Sequence, residues 1–163
     1  MKIYLDKVNI DNKEILYRLL EYSLFEESLY DKNEMNAKAI FEYDDFDSYF
    51  TDDNKKSYFI RNKDNNKLLG FVMINTYMDG DNKIYSITEF MVIPKYRKNK
   101  IGKQTAFECF NMYKGIWKVS PSYGSKDAFN FWKNVIDEYT NNNNEYIDGV
   151  FIFNNKQLIK KED

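Results

Sequence analysis

The stretch Ile87-Thr88-Glu89-Phe90-Met91-Val92-Ile93-Pro94-Lys95-Tyr96-Arg97-Lys98-Asn99-Lys100-Ile101-Gly102-Lys103 places an apolar strand, a basic turn and the start of a helix in immediate succession. The strand stops at Pro94, which cannot donate to a sheet ladder. Such a junction gathers free backbone N–H groups and the positive end of a helix dipole at one point, the physical requirement for holding a phosphate or pyrophosphate. Arg97, Lys98, Lys100 and Lys103 add positive charge with no acidic residue between them. The same residues equally suit a solvated basic turn ahead of an ordinary helix. Two other phosphate motifs are excluded. A P-loop ending at Gly102-Lys103 needs glycine at Arg97 and Ser or Thr at Gln104, and the Rossmann glycine triplet is absent.

Outward from this stretch, periodicity orders the rest of the chain. Ile3 and Leu5, with Val8 and Ile10, alternate as a first strand. Asp11 is placed to cap a helix in which Ile15, Leu16, Leu19, Leu20 and Ser23 follow helical spacing, with Glu14 three residues after the cap. From Glu42 to Asp53, Tyr43, Phe46, Tyr49 and Phe50 recur at helical steps among aspartates and predict a short acidic amphipathic helix. Residues 57–61 and 67–77 read as a hairpin across the Asn- and Asp-rich turn 62–66, and a second turn at 79–82 leads into a strand over 84–93. A helix over 101–113, a strand over 116–119, a helix over 125–139 and a final strand over 146–153 complete the order β-α-α-β-β-β-α-β-α-β. No repeat or Pro-rich boundary interrupts it, so a single α/β domain over 1–163 with a mixed sheet is expected.

Composition narrows the function classes. A chain of 163 residues can bury about two thirds of the surface its unfolded form exposes. Its 43% hydrophobic and 18% aromatic content excludes disorder, despite a mean hydropathy of -0.70. The absence of histidine removes Ser-His-Asp and Cys-His nucleophile systems, imidazole acid–base chemistry and the usual zinc sites, so no metal is expected. A net charge of -2 argues against a general nucleic-acid binder. The chain begins without an apolar signal core and contains no membrane-length apolar run, so no membrane partner is expected. Its one cysteine, Cys109, cannot form an internal disulfide, which fits a reducing cytoplasm.

Val92-x-Pro94-x-Tyr96-Arg97-x-x-Lys100-x-Gly102 resembles the coenzyme A signature of GNAT acetyltransferases, Arg/Gln-x-x-Gly-x-Gly/Ala at a strand-to-helix junction. Gly70 in Leu68-Leu69-Gly70-Phe71 resembles the family's hairpin, and Ala128-x-x-Phe131-Trp132 resembles the last helix of poorly characterised members. The resemblance spans roughly residues 58–139. It implies a GNAT-like mixed, mostly antiparallel sheet flanked by helices, with acetyl-coenzyme A as co-substrate.

The resemblance assigns the pyrophosphate to the backbone amides of Arg97, Lys98, Asn99, Lys100, Ile101, Gly102 and Lys103. It assigns pantetheine to main-chain contacts from Met91, Val92 and Ile93, with an amide near Val92 facing the thioester carbonyl as an oxyanion donor. Ser125, near the asparagine often found before this helix, reads as a helix N-cap or as a cofactor contact. Glu89 lies where several members carry a catalytic glutamate and is the candidate general base. Tyr85, Ile87, Met91 and Ile93 are expected to share its strand face and to desolvate it. A glutamate paired with a nearby Lys or Arg is the plainer alternative. Two residues depart from the pattern. Lys100 stands at the first signature glycine, where a side chain crowds the turn, and Trp132 stands where many members carry a tyrosine proposed to protonate the leaving thiolate. Tyr123, Tyr139 or a water are the available replacements.

The implied activity is acetyl transfer to a primary amine, on a small molecule or a peptide, by direct attack in a ternary complex. The rival reading is a catalytically silent module that binds acyl-coenzyme A. A nucleic-acid contact by the basic turn is weaker, given the net charge. Residues 1–60 carry 8 basic and 14 acidic side chains, a net charge of -6 in the half that forms much of the family's acceptor wall. A cationic acceptor is therefore expected, with Asp44, Asp45, Asp47, Asp52 and Asp53 as candidates, although these equally suit a solvated helix face. A homodimer stays open.

Overall fold

The computed structural model describes residues 1–156 and Leu158. Seven strands form one sheet in the order β1-β2-β3-β4-β5-β7-β6: β1 Ile3–Lys7, β2 Lys55–Asn62, β3 Leu68–Asp79, β4 Asn82–Val92, β5 Ile116–Val119, β6 Glu145–Ile147 and β7 Val150–Asn154. All neighbours are antiparallel except β4 and β5. The helices are α1 Lys13–Glu27, the single turn α2 Ser48–Thr51, α3 Ile101–Met112 and α4 Lys126–Thr140. The mixed, mostly antiparallel α/β architecture is as expected. One further strand appears, because the run over 146–153 is a hairpin that turns at Asp148-Gly149, both at positive φ.

Two other local expectations change. Only Ser48–Thr51 of the acidic segment is helical, since Asp45 turns the chain at φ 60° just ahead of it. Asp11 does not cap α1. The side chain of Asn9 instead accepts from Asp11 N at the short 3-10 turn that leads in.

Each face of the sheet carries its own apolar layer. Leu16, Leu19, Leu20 and Leu24, at helical spacing on α1, pack with Phe71 and Met73 on one face. Truncating the fully buried Leu16 or Leu20 to alanine costs about 2–5 kcal/mol. On the other face α3 and α4 bring Cys109, Phe110, Val135 and Ile136 against Val72 and Trp117. Cys109 is fully buried, and burial pushes its thiol pKa up.

The feature that positions the site is the junction of β4 and β5. They pair only at Ile84 with Ile116, Tyr85 with Trp117 and Ser86 with Lys118, so Ile87–Val92 are laddered to β3 on one side and have no strand on the other. The sheet is split there into a wedge. A bulge sharpens it: Met73 faces Glu89 while Ile74 faces Ile87, leaving Thr88 as the extra residue of β4.

Candidate active site

The free edge of β4 offers specific groups. Ile93 N–H donates to Leu69 O at 2.8 Å, so the alternation of an antiparallel ladder turns Met91 toward β3 as well. The same alternation points the N–H and C=O of Phe90 and Val92 into the wedge. Of the three residues expected to offer main-chain contacts, Met91 and Ile93 turn their N–H groups to β3, while those of Phe90 and Val92 face the free edge. Sequence alternation alone could not distinguish these, because the phase is fixed by the ladder. Val92 O is already engaged by Arg97 Nε at 2.8 Å, which leaves Val92 N–H as the free donor.

At the end of β4 a 3-10 turn, Pro94–Tyr96, delivers the chain to α3. Lys98 and Lys100 both adopt left-handed backbone, with φ 63° and 61°. This explains why glycine suits the position of Lys100: the turn requires the conformation that glycine adopts without steric cost. The amides of Lys98, Asn99, Lys100, Ile101, Gly102 and Lys103 find no acceptor among the described residues, while that of Arg97 donates to Pro94 O at 3.2 Å. Arg97 therefore leaves the expected set of amide donors. Its guanidinium joins Val92 O to Glu26 Oε1, 2.9 Å away on α1, and so ties the turn to that helix. Asn99 Nδ2 donates to Tyr96 O and Arg97 O, bracing the turn. Lys103 Nζ pairs with Glu138 Oε1 at 2.6 Å, so its side chain is directed to α4.

Gly102 serves packing. A Cβ there would lie 2.9 Å from Phe131 Cε2, and Phe131 in turn stacks on Phe90 at 5.7 Å between centroids. Trp132 meets both rings edge-on and is buried in the wedge. Gly70 is dictated by closer contact still, since its Cβ would fall 2.0 Å from Met91 O.

Glu89 is half-buried on the face of β4 that looks toward α1. The Thr88 bulge changes its expected company: Met91 and Ile93 share its face, whereas Ile87 and Tyr85 pack on the opposite face with α3 and α4. Burial, then the charges of Glu27 and Asp31, push its carboxyl up to about 8, while the neighbouring Tyr43 hydroxyl pulls the other way. No Lys or Arg pairs with it among the described residues. Behind it, Thr88 Oγ1 donates to Met73 O, so the hydroxyl of Tyr49, 2.6 Å from Thr88 Oγ1, is the donor in that contact.

A small cavity of about 50 Å³ opens at this point, lined by Glu27, Thr88, Glu89, Phe90, Ser122 and Trp132. Glu27 ends α1 and its carboxyl is also raised, by burial first and then by Asp31. Sequence reading missed it; a glutamate at a helix end carries no motif. A larger open bay of about 740 Å³ lies elsewhere, between the start of α1 and α2, and holds Lys13, Arg18, Asp45 and Asp47. Of the five aspartates expected at an acceptor wall, none lines the cavity at Glu89, and Asp47 is paired with Lys13. Tyr139 is likewise remote, its hydroxyl donating to Asn111 Oδ1 at 3.0 Å. Tyr123 is 90% exposed in the loop before α4. Ser125 caps α4, its Oγ accepting from Ala128 N at 3.1 Å.

A sheet split beside one bulged strand, with a helix N-terminus at the mouth of the split, is the frame that the fold gives the site. Residues 20–114, more than half the chain, match the model of the acetyltransferase (GNAT) family. The chain belongs to that family, and acetyl transfer is its class of chemistry. Among solved structures it is similar to apo FdhC, a nucleotide-linked sugar GNAT, with TM-score 0.67 and 10% identity over 94% of this chain and 87% of that one. A predicted acetyltransferase from Clostridium acetobutylicum, solved with acetyl-CoA, gives TM-score 0.59 and 12% identity over 80% of this chain and 88% of that one. An aminoglycoside acetyltransferase from an uncultured soil metagenomic sample, meta-AAC0020, gives 0.57 and 16% over 82% and 86%. At these identities the likeness is one of fold. The curated proteins yield no match.

Proposed function

We propose that the protein transfers the acetyl group of acetyl-coenzyme A to a primary amine by direct attack in a ternary complex, with Glu89 as general base. The observation that carries this reading is the convergence, at one end of β4, of six unpartnered amides, a free strand edge and a desolvated carboxylate.

The chain's own groups fit a bound pyrophosphate. The amides from Lys98 to Lys103 lie at and just ahead of the positive end of α3 and would hold it, with Lys98 and Lys100 adding charge. Phe90 and Val92 would bind the pantetheine arm as a strand partner, leaving Val92 N–H to face the acyl oxygen. Bound acetyl-coenzyme A supplies the activated acyl group. Trp132, Phe90 and Phe131 wall off the inner side of the wedge from water, and Ser125 at the head of α4 keeps its hydroxyl hydrogen for a contact there. Glu89 takes the amine's proton, directly or through one water, the new C–N bond replaces the thioester C–S bond, and coenzyme A leaves as its thiol, protonated by water.

Release of free coenzyme A is the test, measured with a broad panel of amines. Amine-dependent release by the wild-type protein is expected. Tight binding of acetyl-coenzyme A with no release on any amine would favour instead a silent acyl-coenzyme A binding module, the reading that Trp132 in place of a tyrosine favours.

A further inference from the structure

The cavity beside Glu89 is bounded by α1, and α1 ends without a basic residue in its last turn. Its C-terminal dipole therefore adds partial negative charge to Glu26, Glu27 and the following Asp31. Glu26 is neutralised by Arg97. Glu27 is not: its one polar side-chain contact is the Ser122 hydroxyl, 3.5 Å from Oε1. Neither Glu27, Asp31 nor Glu89 has a Lys or Arg within ion-pair distance among the described residues. The rest of the lining is uncharged: β4 and β5 contribute apolar side chains and Thr88, the loop ahead of α4 contributes Ser120 and Ser122, and α4 contributes Trp132. Two carboxylates thus face one small space with no counter-ion supplied by the chain.

We propose that Glu27 determines acceptor specificity: it selects a primary aliphatic amine that carries a second positive charge, holding the distal ammonium at the end of α1 while the reacting nitrogen lies at Glu89. This inference rests on the reading of the chain as an amine acetyltransferase and names the class of amine. The reacting ammonium passes its proton to Glu89, and the distal one keeps its charge against Glu27, with Asp31 outside the cavity adding to the negative field. An acceptor bearing a carboxylate at the same distance meets like charge, which is the basis of rejection.

Putrescine and γ-aminobutyrate, similar in length and opposite in second charge, provide the test, with free coenzyme A release as the readout at low ionic strength. Wild type should favour putrescine in kcat/KM by about 100-fold or more. Glu27→Gln should shrink that preference at least about tenfold through the KM for putrescine, and Glu27→Lys should shift it toward γ-aminobutyrate, both with unchanged affinity for acetyl-coenzyme A. An equal loss on both amines in the two variants would assign Glu27 a structural role and overturn the inference, leaving amine acetylation intact. The same holds for a wild type that turns over both amines alike. No release by wild type with any amine would overturn the proposed function and this inference with it.

Discussion

Lys100 and Glu89 show how single residues are bent to the needs of the site. Lys100 holds φ 61°, a conformation that costs an L-residue about 1–2 kcal/mol, in order to start α3 with its amides exposed. Lys100→Gly should remove that cost, partly offset by the greater freedom of glycine in the unfolded chain. A net gain of about 1 kcal/mol is expected, seen as a rise of about 2–4 °C in thermal unfolding, with acetyl-coenzyme A affinity equal or tighter. Glu89→Gln keeps the shape and removes the basicity, so kcat should fall about 100-fold while acetyl-coenzyme A affinity stays within about twofold. In the wild type, activity should rise with pH around a midpoint near the carboxyl's value of about 8. Stability runs the opposite way. The folded state holds this proton more tightly than the unfolded chain, so stability falls as pH rises from the ordinary carboxylate range toward about 8. Urea unfolding of Glu89→Gln across that range should lack this part of the decline.

Among the elements, β4 was only half legible. Its existence, its end at Pro94 and its junction with α3 follow from local sequence, because apolar runs, proline and the basic turn act at short range. Its phase does not. Tyr85, Ile87, Glu89 and Met91 alternate as if on one face, and only pairing with β3 shows that Thr88 bulges and sends the first two to the other side. The free amides of Phe90 and Val92 follow from the same long-range pairing. Glu27 was invisible for a related reason: it lies far from Glu89 in sequence and reads as a solvated helix end. The β6–β7 hairpin, by contrast, was written in Asp148-Gly149 and was hidden by the continuous apolar run around it. Gly70 belongs to this scale too. Gly70→Ala would drive a methyl into the Met91 carbonyl, and a loss of about 2 kcal/mol or more in chemical denaturation is expected. Gly102→Glu would have to displace Phe131, so it would disturb packing between α3 and α4 together with the amides at the start of α3.

Across the whole molecule, the acidic half of the sequence supplies α1 and the basic half supplies the turn into α3, and the two meet at Glu26 and Arg97. The split between β4 and β5 lies beside that contact, with Glu27 and Glu89 on one side and the amides of α3 at its mouth. The proposed function sets an anionic cofactor at the amides of α3 and a cationic acceptor at Glu27 and Glu89. The central claim is that acetyl-coenzyme A occupies this cleft along β4. Titrating it into ¹⁵N-labelled protein and following the backbone amides by NMR tests the claim most directly. Shifts concentrated at Phe90, Val92 and Lys98 through Lys103 are expected, whereas shifts centred on the bay between α1 and α2, or none at near-millimolar ligand, would contradict it.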